Sequence, residues 1–341
     1  MNKYASFKKL IILFGFFLFV IGLIFVVSYK EVIKKPLKSN QDKIIIEVEQ
    51  GEGFYDVLNK LDKENELSNK LLLKVKLTID KVNIELREGI YEIDTDTTLA
   101  ELMESLKNET NDKDLVKLTI PEGYSVEDIA NVVEEKELCT KDEFLEAVKN
   151  YEVPSFVQAN DKKRYNLEGF LYPDTYLIKK GSDANYIIKN MLSRFEIVLK
   201  QVKDETKVDI QDADVEKIVN VASIIEKEAK VQSDRPLISS VIYNRLERNM
   251  KLQVDAAVIY ALGYHVDVVL NKHLEIDSPY NIYKYKGLPV GPISNPGIDC
   301  IKAALIPDKT DYLYYILQKD NSHYFTESYD DFLKKKKELG Y

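Results

Sequence analysis

The chain has 341 residues, with 57 acidic and 48 basic side chains and a formal net charge of −9. This acidic balance argues against a nucleic-acid-binding protein, because phosphate recognition needs a concentrated basic surface. Two Cys, Cys139 and Cys300, cannot build a disulfide framework, and three His without H-E-x-x-H spacing give no zinc-hydrolase signature. No nucleotide-binding glycine motif is present either.

An uncharged apolar run covers residues 10–29 near the N-terminus. About twenty such residues can cross the bilayer as a helix. Lysines precede and follow the run, so positive-inside counting alone does not settle its orientation. A cleaved signal peptide is the alternative, but no small-residue cleavage pattern follows the run. We therefore expect a single-pass anchor, with residues 1–9 as a cytoplasmic tail and the remaining chain outside the cell membrane.

Residues 30–42 are charged, contain Pro36 and are predicted to be an extended spacer. The next segments alternate between strand and helix patterns. The predicted strands are residues 43–49 and 89–93, and the predicted helices are residues 54–61, 71–79 and 99–106. A small strand–helix–helix–strand module over residues 43–107 follows. The polar, non-periodic residues 108–114 mark its boundary with a second domain, residues 115–341.

The second domain begins with a strand that runs into a turn over residues 118–123. Ser125 and Asp128 have the spacing of a capping box, so a helix starts there. Residues 141–149 and 184–200 are also predicted to be helical. Between them, residues 166–176 are rich in turn formers and aromatics, and Glu168 and Asp174 stand among apolar neighbours. Turn and capping chemistry explains these two acids without a catalytic role.

The most informative position in the chain is Glu226. Residues 215–229 have the period of an amphipathic helix, and Glu226 falls within its apolar stripe. Glu216, Asn220 and Ser223 fall on the opposite side, which is expected to face solvent. Because burial raises a carboxyl pKa, an acid in this position suits general acid catalysis. A core Glu paired with a buried Arg, or a local bend that turns it outward, is the alternative.

The segments after Glu226 carry further polar residues. Residues 236–250 are predicted to form a helix whose apolar stripe includes Arg245, which either pairs with a buried carboxylate or faces a ligand. Asp255 is a predicted N-cap, whereas Gln253 would point to the same side without a capping role. Residues 287–297 contain three Pro and three Gly, so they form an irregular wall of the kind that carries binding sites. Residues 312–316 and 324–325 are expected to form a closing hairpin.

These motifs together resemble the endolytic murein transglycosylase family (MltG or YceG-like), over essentially the whole chain. The residues that carry the resemblance are LTIPEG at 118–123, EGFLYPDTY at 168–176, ASIIEKE at 222–228, VIYNRL at 241–246, LQVDAAVIY at 252–260, SPYNIY at 278–283, GLPVGPISNPG at 287–297 and HYF at 323–325. Within this pattern Glu226 matches the family's catalytic Glu. The chain departs from the family at Val254, where Ser or Thr is common.

The resemblance implies an α+β fold: a transmembrane helix, a small LysM-like β-α-α-β module and a mixed α/β catalytic domain with a helix-borne acid. It implies a lytic transglycosylase that cleaves the MurNAc–GlcNAc bond of nascent peptidoglycan, leaves a 1,6-anhydroMurNAc end and terminates elongation. Glu226 would act alone, first as acid and then as base, without metal or organic cofactor. Expected partners are glycan strands, the membrane and peptidoglycan synthases, with no nucleic acid.

Several polar residues become candidates to orient the glycan once the resemblance is accepted. They are Asn244, Arg245, Gln253, Asp255, Tyr280, Asn281, Asn295 and Glu168. Glu168 could instead be a second acid or the ion partner of Arg245. Two other functions stay open at this point. One is a hydrolase that uses Glu226 with Glu168 or Asp255, and the other is a non-catalytic wall-binding scaffold of the division or elongation machinery.

Overall fold

The computed structural model describes residues 16, 20, 22–23, 25–39, 42–49, 51–82, 84, 86, 89–107, 115–264, 266 and 268–340. Most of the predicted span at residues 10–29 lies outside these residues. None of the helices in the described part combines the length and apolarity that a membrane crossing requires. The chain divides into two compact units, Met1–Leu115 and Val116–Tyr341.

The first unit is built around one antiparallel pair of strands. Strand β1 (Lys43–Val48) pairs with β2 (Gly89–Asp94), and α1 (Phe54–Lys63) and α2 (Lys70–Ile79) lie between them in sequence. Helix α3 (Leu99–Ser105) follows, with Thr98 and Glu101 forming a capping box. Alternate residues of β1 are buried against the helices, as expected for a sheet with one covered face. The predicted strand–helix–helix–strand order is confirmed.

The second unit is mainly helical, with two small two-stranded sheets. In chain order its elements are β3 (Leu115–Thr119), α4 (Val126–Glu135), α5 (Lys141–Asn150), β4 (Thr175–Lys179), α6 (Ala184–Thr206), α7 (Asp212–Glu228), α8 (Arg235–Glu247), α9 (Asp255–Leu262), α10 (Ile298–Leu305), β5 (Tyr314–Leu317), β6 (His323–Thr326) and α11 (Tyr329–Leu339), with 3₁₀ turns at Gln232–Asp234 and Asn271–Glu275. β3 pairs with β4, and β5 pairs with β6 as the predicted hairpin. The mixed α/β architecture is confirmed.

Helix α7 is the central helix of this unit and packs against α8, α9 and α10. Its burial differs from the sequence prediction, because Glu216, Asn220 and Ser223 are buried rather than exposed to solvent. Glu216 forms a buried ion pair with Lys163, with 2.6 Å between Oε1 and Nζ. A helix surrounded by other elements on nearly every side buries its polar residues too, and each of them then needs a partner.

The Pro- and Gly-rich segment at residues 287–297 is attached to α7 through these polar side chains. Asn220 donates from Nδ2 to the carbonyl of Pro289 at 2.8 Å. The hydroxyl of Ser223 accepts the N–H of Ile293 at 3.1 Å, and its carbonyl accepts the hydroxyl of Ser294. An irregular buried segment has few hydrogen bonds of its own, so the side chains of α7 satisfy its backbone. The polar face of α7, which the sequence predicts to face solvent, therefore holds segment 287–297 in place.

Candidate active site

Glu226 lies in the last turn of α7, where segment 287–297 ends. Its side chain is half-buried, which is less burial than its place in the apolar stripe predicted. Oε2 accepts a hydrogen bond of 2.9 Å from the backbone N–H of Gly297, the residue that precedes α10. The carboxyl group is thus held in one orientation by a rigid backbone donor while part of the side chain stays accessible.

A second glycine, in the turn after β3, packs against the same side chain. Gly123 follows β3 with a φ of +79°, and a Cβ at this position would lie 3.4 Å from Cγ of Glu226. The N–H of Gly123 donates to the carbonyl of Asn295 at 2.8 Å, and Lys227 Nζ donates to the carbonyl of Gly123 at 3.2 Å. The turn after β3 and the end of segment 287–297 are therefore joined at Glu226.

A second carboxylate, Glu122, lies beside this acid. A Cβ at position 297 would be 1.9 Å from its Oε1, so the carboxylate rests directly against the Cα of Gly297. Burial of the carboxylate against this backbone raises the pKa of Glu122, and the negative charge of Glu226 raises it further. Residue 122 as a whole is nevertheless exposed. The two carboxyl groups thus share one glycine as their common neighbour.

Charged groups from two helices complete the surroundings of Glu122. Arg235 at the start of α8 donates from Nη1 to Oδ2 of Asp299 at 2.9 Å, and Gln232 donates to the same oxygen at 3.0 Å. Arg235 lowers the pKa of Glu122, whereas Asp299 raises it. The arginine is therefore shared electrostatically between Asp299, which it contacts directly, and the more exposed Glu122.

Cys300 lies in the first turn of α10, next to Glu226, and is buried. Burial, followed by the negative charge of Glu226, raises the pKa of its thiol well above the usual range. The thiol is therefore neutral and a poor nucleophile. Cys139 and Cys300 are both free thiols in this structure.

Glu168 has a structural environment rather than a catalytic one. Both of its carboxylate oxygens accept the N–H of Val126, the first residue of α4, and Tyr260 and Asn295 also donate to it. Burial raises its pKa to about 8. The suggested ion pair with Arg245 is wrong, because the hydrogen-bonding capacity of Glu168 is spent on holding α4, α9 and segment 287–297 together.

Three further candidates use their polar atoms inside the fold. Asn295 is fully buried, accepts the N–H of Leu171 and donates to the carbonyl of Tyr124. Asn281 is also fully buried and donates to two backbone carbonyls in residues 274–276. The hydroxyl of Tyr280 accepts the backbone N–H of Arg164. Each stabilises the irregular chain around the site rather than presenting a free polar group to a ligand.

Asn244 and Arg245 bind the C-terminal strands of the unit. Asn244 donates from Nδ2 to the carbonyls of Thr310 and Tyr312, at 2.8 and 2.9 Å. Arg245 donates to the carbonyls of residues 251, 252 and 313, and its guanidinium stacks on the ring of Tyr314. The expectation that Arg245 pairs with a buried carboxylate is therefore wrong, because backbone carbonyls take that place.

Gln253 and Asp255 are the two candidates that remain exposed. Gln253 has a φ of +57°, unusual for a residue other than Gly. Asp255 is the first residue of α9 rather than its N-cap, which is Val254, and its Oδ1 accepts the hydroxyl of Tyr283 at 2.5 Å. Beyond them, Glu228 accepts the hydroxyl of Tyr315 at 2.9 Å. Contact of Gln253 and Asp255 with substrate stays a prediction.

Sequence reasoning missed Glu122, Gly297, Arg235 and Asp299 as neighbours of the acid. Glu122 lies in the motif at residues 118–123, where the sequence pattern predicts only a turn. The available signal was an acidic residue between Pro121 and Gly123, where a rigid turn presents a charged side chain.

Comparison with known proteins assigns the chain to a family. The model of the YceG-like family matches residues 46–338. The chain belongs to the YceG-like family. Curated relatives of the chain carry the name endolytic murein transglycosylase. The relative from Bacillus subtilis (strain 168) is 43% identical over 52% of this chain, and the one from Streptococcus pneumoniae (strain D39) is 30% identical over 87% of it.

A solved structure supports the same assignment. The crystal structure of a YceG-like protein from Listeria monocytogenes is 33% identical, with a TM-score of 0.59, and the match covers 87% of this chain and all of that one. The chain spans 49% of the Bacillus relative and 58% of the Streptococcus relative.

Proposed function

We propose that this protein is a membrane-anchored endolytic murein transglycosylase. It cleaves the MurNAc–GlcNAc bond of nascent peptidoglycan strands, leaves a 1,6-anhydroMurNAc end and thereby terminates elongation. The observation that carries the proposal is the accessible carboxyl of Glu226, held by the N–H of Gly297 at 2.9 Å within the region that the family model matches. The names of the curated relatives point to the same reaction.

The reaction needs one proton donor that later becomes a proton acceptor. Glu226 donates its proton to the oxygen that links C1 of MurNAc to GlcNAc, and the bond from C1 to that oxygen breaks. The resulting carboxylate then accepts the proton of the C6 hydroxyl as O6 bonds to C1. Glu226 regains its proton and no water is consumed. The backbone donor at Gly297 keeps the carboxyl in place through both steps, because the backbone needs no reorganisation.

The remaining parts of the chain fit this role. The apolar run at residues 10–29 would anchor the protein in the cell membrane, with the catalytic unit on the outer side. The strand–helix–helix–strand unit would act as a LysM-like module that grips glycan or spaces the enzyme from the bilayer. The expected partners are peptidoglycan and the membrane-bound synthases that polymerise it.

A peptidoglycan hydrolase is the second candidate, because Glu122 places a second carboxylate beside Glu226. Hydrolases generally use two carboxyl groups, one as acid and one as base or nucleophile. Glu168 does not fit the second role, since its oxygens are occupied by buried donors. The two reactions differ by one water in the product.

The deciding experiment is mass spectrometry of purified peptidoglycan after digestion by the full-length protein. We expect products with 1,6-anhydro ends, and products heavier by one water would establish hydrolysis instead. Glu226→Gln keeps the size of the side chain and an acceptor for Gly297 but removes the proton, so cleavage should fall about 10²–10⁴-fold. Glu135→Gln, an exposed glutamate on α4, is the matched control and should cleave like wild type. Equal cleavage by Glu226→Gln would refute the assignment.

A further inference from the structure

Glu122 is the acidic group near Glu226 that the reaction as described does not use. Most acidic side chains around the site are engaged by the protein: Glu168 by three residues, Asp299 by Arg235 and Gln232, and Glu226 by Gly297. Within the described part of the chain, the carboxylate of Glu122 forms no hydrogen bond or ion pair. It rests instead against the Cα of Gly297, on an exposed residue.

The position of Glu122 is imposed by the fold rather than by chance. Gly123 is tied to Asn295 by a backbone hydrogen bond and packs on Glu226, so the turn that carries Glu122 cannot move independently of the acid. At position 297 the missing side chain leaves room for the carboxylate, since any Cβ would clash with it. The site therefore maintains a carboxylate without a hydrogen-bond partner beside its proton donor.

We propose that Glu122 is a second functional carboxylate of this site: it contacts the sugar held at Glu226 and stabilises the positive charge that develops at C1 as the glycosidic bond breaks. This proposal rests on the proposed glycan cleavage. It requires no additional bond, because Glu122 acts through its charge while Glu226 gives and regains the proton. A fixed negative charge close to a developing cation lowers the barrier without being consumed.

Charged groups on three elements surround Glu122. Glu226 faces it from α7, Arg235 from the start of α8, Asp299 from α10, and Lys227 lies close by at the carbonyl of Gly123. Its pKa is raised by burial and by Glu226. Glu122 therefore loses its charge at a higher pH than an ordinary glutamate, and the rate should fall on acidification as that charge is lost.

The first test is steady-state kinetics of the full-length protein on glycan strands. Glu122→Gln keeps the shape of the side chain and removes its charge. We expect kcat to fall about 10²-fold, with little change in KM or Tm, because only the transition state carries the positive charge. The acidic limb of the pH profile should also change. Glu135→Gln is the control for removing one exposed carboxylate. A kcat within twofold of wild type would overturn the proposal. A lower Tm together with a higher KM would also overturn it, because that result indicates a structural role.

The second test does not depend on cleavage. In the full-length protein with ¹³C-labelled glutamate carboxyls, NMR titration follows Glu122 in wild type and in Glu226→Gln. We expect the titration curve of Glu122 to differ between the two proteins, because only wild type can carry a charge at position 226 that Glu122 senses. If the substitution leaves the titration of Glu122 unchanged, the two carboxylates do not interact and the inference is refuted, even if the enzyme is active. Wild type that releases no cleaved strands would instead refute the proposed function, and the titration would still decide the pairing.

Discussion

The N–H of Gly297 and the carboxylate of Glu226, 71 residues apart in sequence, are joined by a hydrogen bond of 2.9 Å. On its Cα side the same glycine contacts the carboxylate of Glu122. One residue without a side chain thus fixes the geometry of the proposed acid through its backbone and makes room for the second carboxylate.

A substitution at Gly297 separates these two roles. The φ of Gly297 is −75°, which alanine adopts without strain, and the N–H that holds Glu226 is retained. The atoms nearest to the new Cβ belong to the carboxylate of Glu122, which must move to make room for it. We expect Gly297→Ala to leave Tm nearly unchanged and to lower the cleavage rate about as much as Glu122→Ala.

The matching control is a double-mutant cycle measured by the same cleavage assay. If Gly297→Ala acts by displacing Glu122, adding it to Glu122→Ala should cost little further activity. An equal loss in both backgrounds would mean that the alanine disturbs Glu226 directly.

Glu168 should make stability depend on pH. Its pKa is about 8 in the folded protein and near the ordinary value of 4.5 when unfolded. The folded state therefore holds an extra proton between these values. The stability that this proton contributes is fully present below pH 4.5. It is lost as pH rises towards 8, by about 1.4 kcal/mol per pH unit. Thermal unfolding followed from pH 4.5 to 8 measures this slope.

The comparison variant is Glu168→Gln, which cannot titrate. Its amide N–H₂ would face the N–H of Val126 or the amide of Asn295, and two donors cannot bond to each other. The free energy of unfolding should therefore fall by about 1–3 kcal/mol. We expect its Tm to decline less steeply with pH than that of wild type. Parallel Tm curves for the two proteins would show that Glu168 does not carry the raised pKa.

The polar face of α7 should matter for both stability and activity. Ser223→Ala removes the acceptor for the N–H of Ile293 and leaves that buried donor unpaired, at about 1–3 kcal/mol. Because segment 287–297 also carries Gly297, the cleavage rate and the Tm should both fall. Lys217→Ala, an exposed change on the same helix, is the control and should alter neither property strongly. A wild-type Tm for Ser223→Ala would contradict the role of this face in holding the segment.

Local patterns in the sequence were sufficient for much of the architecture. The capping box of Ser125 and Asp128 and the closing hairpin both form as predicted, because their hydrogen bonds join residues close in sequence. Helix α7 was also recognised from its period, and Glu226 was singled out within it. These features depend on interactions that a short segment contains within itself.

Tertiary structure decided what surrounds the acid. Periodicity assigned Asn220 and Ser223 to solvent, since a helical pattern marks polar residues but cannot show what another segment requires of them. The irregular segment needed those side chains for its own backbone, which reversed their exposure. Glu122 and Gly297 meet Glu226 only because three distant segments fold onto one helix end, a relationship between residues that no local pattern encodes.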